Sequence, residues 1–189
     1  SGLGVLNGAQ GLSLVLRHVE SYGLVSSPAN SVGVLILGVD PAKERSATRI
    51  HNTLIRGQYL GTDQGRVGEI MIGDMLAKRL KAEVGEKIVL FSQAADGSMA
   101  NALFRVKGIF RTGAEAMDLG TAYITLNRAQ EFFVLGPRVT SFLLYVEDID
   151  RADSIRSDLA SRLPPGRFEA LSWKELDPSL LQTTQLDDA

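Results

Sequence analysis

Apolar and polar positions in the first third of the chain fall into two runs around a polar turn. Leu12, Val15, Leu16 and Val19 have helical spacing, while Val15, Arg17 and Val19 set against Leu16, His18 and Glu20 also alternate as a strand does. Ser27-Pro28-Ala29-Asn30 is a cluster of turn residues, and a β-rich apolar run from Val32 to Val39 follows it. Two such runs around a turn predict a hairpin with strands over 15–26 and 32–39. Asp40-Pro41 then predicts a helix start, with a carboxylate at the N-cap and proline where its missing N–H costs nothing. Ala47, Ile50 and Leu54 give that helix an apolar stripe, and Gly57 is placed to end it.

After Gly57 the texture changes. Glycines at 61, 65, 68, 73, 85, 97, 108 and 113 punctuate short apolar runs at 69–72, 87–91, 103–110 and 122–126, a density of turns that suits a small twisted sheet. Helices are expected around 74–81, where Leu76 and Leu80 lie four apart, and over 127–134; Asp96-Gly97 marks a hairpin tip. From Ser141 the pattern simplifies to a strand over 141–146 and a helix capped by Asp150. That helix has Ala152, Ile155, Leu159 and Leu163 on one face. Pro164-Pro165-Gly166 stops it, and a further strand is expected over 167–171, which permits a right-handed βαβ crossover. The outer segments are alike and the middle reads as an insert, so the expected fold class is α+β. A discontinuous α/β subdomain (1–57 and 139–189) holds an inserted, smaller β-rich subdomain (58–138).

Composition narrows the function classes. The chain has 189 residues with a formal net charge of −2 and 44% hydrophobic residues, so neither a basic nucleic-acid surface nor disorder is expected. Cysteine is absent, which removes disulfides, thiol nucleophiles and thiolate metal sites. The longest charge-free stretch, residues 21–39, carries Ser26, Ser27, Pro28, Asn30 and Ser31 in its middle and does not read as a bilayer-spanning helix. No basic segment followed by an apolar core opens the sequence.

Catalytic and ligand motifs are equally sparse. The two histidines, His18 and His51, lie in separate elements without zinc-site spacing. Asp148, Asp150 and Asp153 lack the glycine and terminal glutamate of a calcium loop and read as acid at a helix start. Gly108 and Gly113 have the spacing of a phosphate loop, but Ala114-Glu115 follows where Lys and Ser/Thr are required. There is no G-x-S-x-G nucleophile elbow, and the two histidines pattern as structural, so no catalytic residue, cofactor or metal is assigned. Trp173 reads as an anchor for the last segment. Leu135-Gly136-Pro137-Arg138 reads as a short, exposed connector.

An ordered set of segments resembles the extracytoplasmic domain of type VII ABC-transporter permeases, the MacB-like periplasmic core domain. The set comprises Leu37-Gly38-Val39-Asp40-Pro41 with Glu44, Gly57-Gln58-Tyr59-Leu60, and Glu69-Ile70-Met71-Ile72-Gly73 with Leu76-Ala77 and Leu80. It continues with Val84-Gly85-Glu86-Lys87-Ile88, the run from Phe104 to Gly113 with Asp118, and Ala122-Tyr123-Ile124-Thr125-Leu126 with Ala129-Gln130. The resemblance implies a porter-like α/β subdomain with a smaller β-rich insert, lying between two transmembrane helices on the periplasmic side of the inner membrane. It implies a mechanical, non-catalytic role, with ATP hydrolysis on a separate domain or subunit.

Within the family the lipoprotein-releasing branch looks closer, through residues 57–73 and the end of the chain, and a macrolide-exporter-type efflux permease is the alternative. The partners implied are a cytoplasmic ATPase, a second permease protomer, and a lipoprotein cargo or a periplasmic carrier or adaptor; no nucleic acid is expected. In that branch one permease carries a protruding loop that recruits a periplasmic chaperone, and the corresponding position here is Leu135, Gly136, Pro137 and Arg138. The loop is short, which departs from the pattern and fits a partner permease lacking such a hook, or a homodimeric permease filling both roles. A free-standing binding module and a hydrolase built from scattered residues are the remaining classes.

Overall fold

The computed structural model describes residues 2–63, 65–164 and 166–176. Two compact units partition it: residues 16–143 form one, and residues up to Val15 together with those from Leu144 onward form the other. The chain begins with a short helix α1 (Gly2–Asn7) and the long strand β1 (Leu12–Ser26), then turns through Ser27–Asn30 into β2 (Ser31–Val39). The turn forms because the Ser27 hydroxyl accepts hydrogen bonds from the amides of Ala29 and Asn30, supplying partners that the ladder no longer offers. Next come α2 (Pro41–Ala47), a 3₁₀ turn (Ile50–Thr53), β3 (Leu54–Gly57), β4 (Gly68–Gly73) and α3 (Asp74–Leu80). The antiparallel hairpin β5 (Lys87–Gln93) and β6 (Met99–Phe110) follows, then α4 (Glu115–Gly120), β7 (Thr121–Thr125), α5 (Leu126–Phe132) and β8 (Ser141–Val146).

In the 16–143 unit the strand order β2-β7-β4-β6-β5-β1 is closed by the β1–β2 hairpin, giving a six-stranded ring. β3 pairs with β6, and β8 with β1, outside that ring. The β2–β7 and β4–β6 pairs are parallel, so the ring is stitched by crossovers as well as hairpins. Alternation sends Val19, Val25, Val34, Ile36, Ile70, Ile72, Ile88, Leu90 and Phe104 inward, all essentially without solvent exposure. Leu76, Ala77 and Leu80 of α3 and Ala129, Phe132 and Phe133 of α5 join the same cluster. A second, smaller cluster of Val39, Ile50, Leu60, Met71, Phe110 and Tyr123 packs on the outer wall, under the segment after β2. Two glycines make these contacts feasible. A Cβ on Gly38 would overlap the Ala129 side chain, and one on Gly73 would overlap the Asp118 backbone. The fold is therefore a mixed α/β one with a small closed β-barrel inserted in the chain, as the sequence pattern predicts in outline.

Several local expectations change. The helix expected to run to Gly57 stops at Ala47, because Thr48 turns to extended backbone while its amide and hydroxyl both donate to the Glu44 carbonyl. Leu54 and Gly57, placed on its apolar stripe and at its end, belong to a strand paired with Phe110 and Gly108. Ladder pairing outweighs a helical spacing of three residues. Strand β1 begins at Leu12, three residues earlier than expected, and the division of the chain falls at 15/16 and 143/144, so β2, α2 and β3 sit in the barrel unit.

In the other unit, a 3₁₀ turn (Ile149–Arg151) leads into α6 (Ala152–Arg162), and α7 (Trp173–Leu176) closes the described chain. The cap expected from Asp150 is not made, and α6 has no side-chain cap; the Asp148 carboxylate instead caps the 3₁₀ turn ahead of it by accepting from the Asp150 amide. The strand expected over 167–171 is absent among the described residues: Phe168 and Leu171 stay exposed and no ladder recruits them. The βαβ crossover consequently has no closing strand. Ile155 and Leu159 are buried on the expected face of α6, and Asp153–Lys174 and Arg156–Glu175 ion pairs hold α7. Within this unit the Glu147 amide donates to the Gly11 carbonyl and the Ser13 hydroxyl to the Tyr145 carbonyl.

Candidate functional site: a cleft on the outer barrel wall

Side chains that do not point into the barrel line its outside, and beside α2 they leave a cleft of about 530 Å³. The β1–β2 register sets Glu20 opposite Leu37 and Tyr22 opposite Leu35, so polar and apolar residues meet on one outer face. Leu35, Leu37, Ile50, Met117, Tyr123 and Leu143 give the cleft its apolar walls, with Thr48, Arg49, Thr53 and Thr112 among the polar residues at its margin.

One wall carries charge. Asp40 caps α2 by accepting from the amides of Ala42 and Lys43, which orients the helix so that Glu44 is buried. The Glu44 carboxylate lies 2.8 Å from His18 Nε2, and Glu20 Oε1 lies 3.8 Å from His18 Nδ1. Glu20 is in turn fixed by the Ser141 hydroxyl at 2.9 Å, while its own amide donates to Thr140 Oγ1 at 2.6 Å. Burial disfavours a charged His18, but the hydrogen bonds and charges of Glu20 and Glu44 outweigh it, and the imidazole is pushed up to about 9. The bond to His18 holds Glu20 below the usual carboxylate range. With each ring nitrogen facing a carboxylate, His18 keeps its proton at neutral pH and is engaged as a cation, which suits a fastening and not a general base. Burial, reinforced by the Glu44 charge, pushes the Tyr59 hydroxyl up to about 12 and raises Tyr123 further, so both stay neutral.

Two further buried carboxylates are fasteners too. Asp74 accepts from Arg111 at 2.8 and 3.0 Å and from Lys78 at 3.0 Å, tying α3 to the end of β6. Asp118 accepts from the Thr112 amide and hydroxyl and the Gly113 amide, which fixes the turn that follows β6. Gly113, one of the two glycines with phosphate-loop spacing, sits in that turn at φ +87°.

The residues singled out in the sequence are scattered. His18 is on β1 and His51 in the 3₁₀ turn, where its ring meets Tyr59 edge-on at 6.1 Å. The loop at Leu135, Gly136, Pro137 and Arg138 follows α5 and is tied inward. The Arg17 guanidinium donates to the Pro137 carbonyl, Gln130 to the Arg138 carbonyl, and Arg138 to the Leu135 carbonyl, each at 2.9 Å. Leu135 packs against the barrel core, while Gly136, Pro137 and Arg138 face outward. Trp173 is half-buried on α7. The link between His18, Glu20 and Glu44 went unread. Its only sequence signal is that His18 and Glu20 lie two apart on a strand, on the same side of it, with α2 supplying the second carboxylate. Among the described residues no group of three or more His, Asp or Glu side chains is arranged to hold a metal ion, and no helix is long and apolar enough to cross a membrane.

Comparison with known proteins fits this architecture. The chain is 21% identical over 183 residues to the lipoprotein-releasing system transmembrane protein LolC of Neisseria meningitidis, covering 94% of this chain and 44% of that protein. It is 27% identical over 175 residues to the protein of the same name from Xylella fastidiosa, covering 90% of this chain and 41% of that protein. The chain thus spans less than half the length of these relatives. Among solved structures it is similar to the extracellular domain of the ABC-type transporter YknZ from Gram-positive bacteria. That match has a TM-score of 0.61 and 16% identity, covering 89% of this chain and 84% of that one. The periplasmic region of MacB from Actinobacillus actinomycetemcomitans matches with a TM-score of 0.59 and 14% identity, over 97% and 81%. The family description "MacB-like periplasmic core domain" matches residues 8–162, most of the sequence: the chain belongs to this family of periplasmic ABC-permease domains.

Proposed function

We propose that this chain is the periplasmic domain of a permease that couples cytoplasmic ATP hydrolysis to the release of lipoproteins from the inner membrane by a mechanical change of posture. The observation that carries the reading is the extent of the likeness to lipoprotein-releasing proteins, which runs through 90–94% of the chain. The apolar cleft and the charge-fastened wall beside it support the reading, since they give a pre-shaped surface without reactive groups. The working assembly comprises a cytoplasmic ATPase reached through transmembrane helices, a second permease protomer, the lipoprotein cargo and a periplasmic carrier. The outward residues Gly136, Pro137 and Arg138, with Leu135 beneath them, serve as a contact for the carrier. Their internal hydrogen bonds make them a rigid point and not a reaching arm.

The test is reconstitution of the full-length parent permease with its ATPase in liposomes loaded with an acylated lipoprotein. ATP-dependent transfer of the lipoprotein to a soluble periplasmic carrier is the expected result. ATP-dependent movement of small drugs in the presence of an adaptor, without lipoprotein transfer, would overturn it. The efflux reading is second because the fold is shared with the MacB periplasmic region.

A further inference from the structure

One end of the barrel gathers cations that the fold does not neutralise. It is assembled from the β1–β2 turn, the end of α3 and the start of β5. The Ser27 hydroxyl donates to the Leu80 carbonyl at 2.6 Å and the Asn30 side chain to the Arg79 carbonyl at 2.9 Å, which sets α3 against the turn. Ser26 stands opposite Val89, so β5 begins beside the same turn, and Lys87 lies directly across the ladder from Arg105. Arg79, Lys81, Lys87 and Arg105 are all exposed there, and none has a carboxylate within ion-pair reach among the described residues. Arg105 donates instead to the Gly85 carbonyl. The acids between α3 and β5 are already engaged. Glu83 pairs with Arg56 at 2.6 Å, and Glu86 accepts from the Glu83 amide at 2.8 Å.

Three of these cations stand where they weaken the fold. Like charges directly opposite on an antiparallel pair repel, as Lys87 and Arg105 do. Lys81 ends α3 at φ +52°, the left-handed conformation that glycine would adopt without strain. A helix dipole accounts for Arg79 in the last turn of α3, but not for the two cations on strands. Positions that break a local rule with no internal gain mark surfaces kept for another purpose. We propose that this end of the barrel, carrying Lys81, Lys87 and Arg105, is a docking surface for a protein partner that presents a cluster of carboxylates. Charge complementarity selects that occupant over an anionic bilayer. Glu83 and Glu86 are exposed in the same connection as Lys81 and Lys87, and the diffuse negative charge of a membrane would repel both. A folded partner can set each carboxylate opposite a cation and leave the glutamates facing donors. The inference goes beyond lipoprotein release and holds whichever cargo the permease moves.

The experiment uses the full-length parent permease in its native membrane, with the exposed Ala29 of the turn replaced by photoreactive p-benzoylphenylalanine. Irradiation should give a protein adduct, and Lys81→Glu, Lys87→Glu and Arg105→Glu together should lower its yield about tenfold. Lys43→Glu with Arg45→Glu, on equally exposed residues of α2, should leave the yield within about twofold. In parallel, the purified permease in nanodiscs of zwitterionic lipid should bind a fluorescent polyglutamate peptide at low salt, lose it at high salt, and bind about tenfold more weakly as the triple variant. Lys81→Gly guards against misfolding, since it removes one charge and the backbone strain together. It should leave the unfolding midpoint unchanged or higher while weakening polyglutamate binding about threefold. A missing adduct, an adduct confined to lipid or to a second copy of the chain, or a yield indifferent to the triple reversal would overturn the proposal. So would an equal loss from the α2 variant, or polyglutamate binding that survives the reversal.

Discussion

The inside and the outside of the barrel wall are held by different forces. Inside, Ile36, Ile70, Ile72, Leu90 and Phe104 are stripped of solvent and belong to one apolar cluster, with Phe104 edge-on to Phe132 at 6.1 Å. Outside, the second cluster includes Tyr123, which feels the charge of the buried Glu44, and α2 is fastened by the Glu44–His18 pair at 2.8 Å. The interior contact is non-directional and tolerates only volume-conserving change. The outer one is directional and depends on protonation. A barrel of this kind can keep its shape while the elements on its outer wall respond to their surroundings.

The difference should show in three measurements, in falling order of effect. Phe104→Ala opens a void in the interior and should cost about 3–5 kcal/mol in urea unfolding of the chain, with no dependence on pH. A loss below about 1 kcal/mol would mean that the interior can collapse around the gap and is not close-packed. On the outer wall, the folded-state value of about 9 for His18 lies above its ordinary 6.5. The protonated state therefore stabilises the fold fully below pH 6.5, and that contribution is lost as pH rises through about 9. Unfolding free energy should decline over this window in the wild type and stay flat in His18→Gln. A parallel decline in both would remove His18 from the account. The smallest effect belongs to the fully outer pair Arg56–Glu83 at 2.6 Å, where both side chains are exposed. Glu83→Ala should cost less than about 1 kcal/mol and vanish in high salt.

The strands were legible because alternation and glycine punctuation are local properties. β2, β4, β5, β7 and β8 lie where the pattern put them, β6 begins at Met99, four residues ahead of its apolar run, and the Asp96-Gly97 tip joins β5 to β6. Closure of the ring was not legible. It depends on the parallel β2–β7 and β4–β6 pairs, whose partners lie far apart in sequence and leave no local mark. Leu54 misled for the same reason, since a residue three or four places along an apparent helix can equally face the core from a strand. Helix α4 escaped notice because its six residues have little periodicity; the Asp118 carboxylate fixes the turn ahead of it. The cleft was hidden more deeply. His18, Glu20 and Glu44 are unremarkable singly, and only the hairpin register and the Asp40 cap bring them together.

Strands β1 and β8 pair, and their sequence numbers run in opposite senses from His18–Thr140 to Gly11–Glu147. The polypeptide thus departs from the 16–143 unit alongside the strand by which it arrived. Tension that parts these two strands from their free ends would peel the ladder one bond at a time, as a zipper opens, and never load all its bonds in shear.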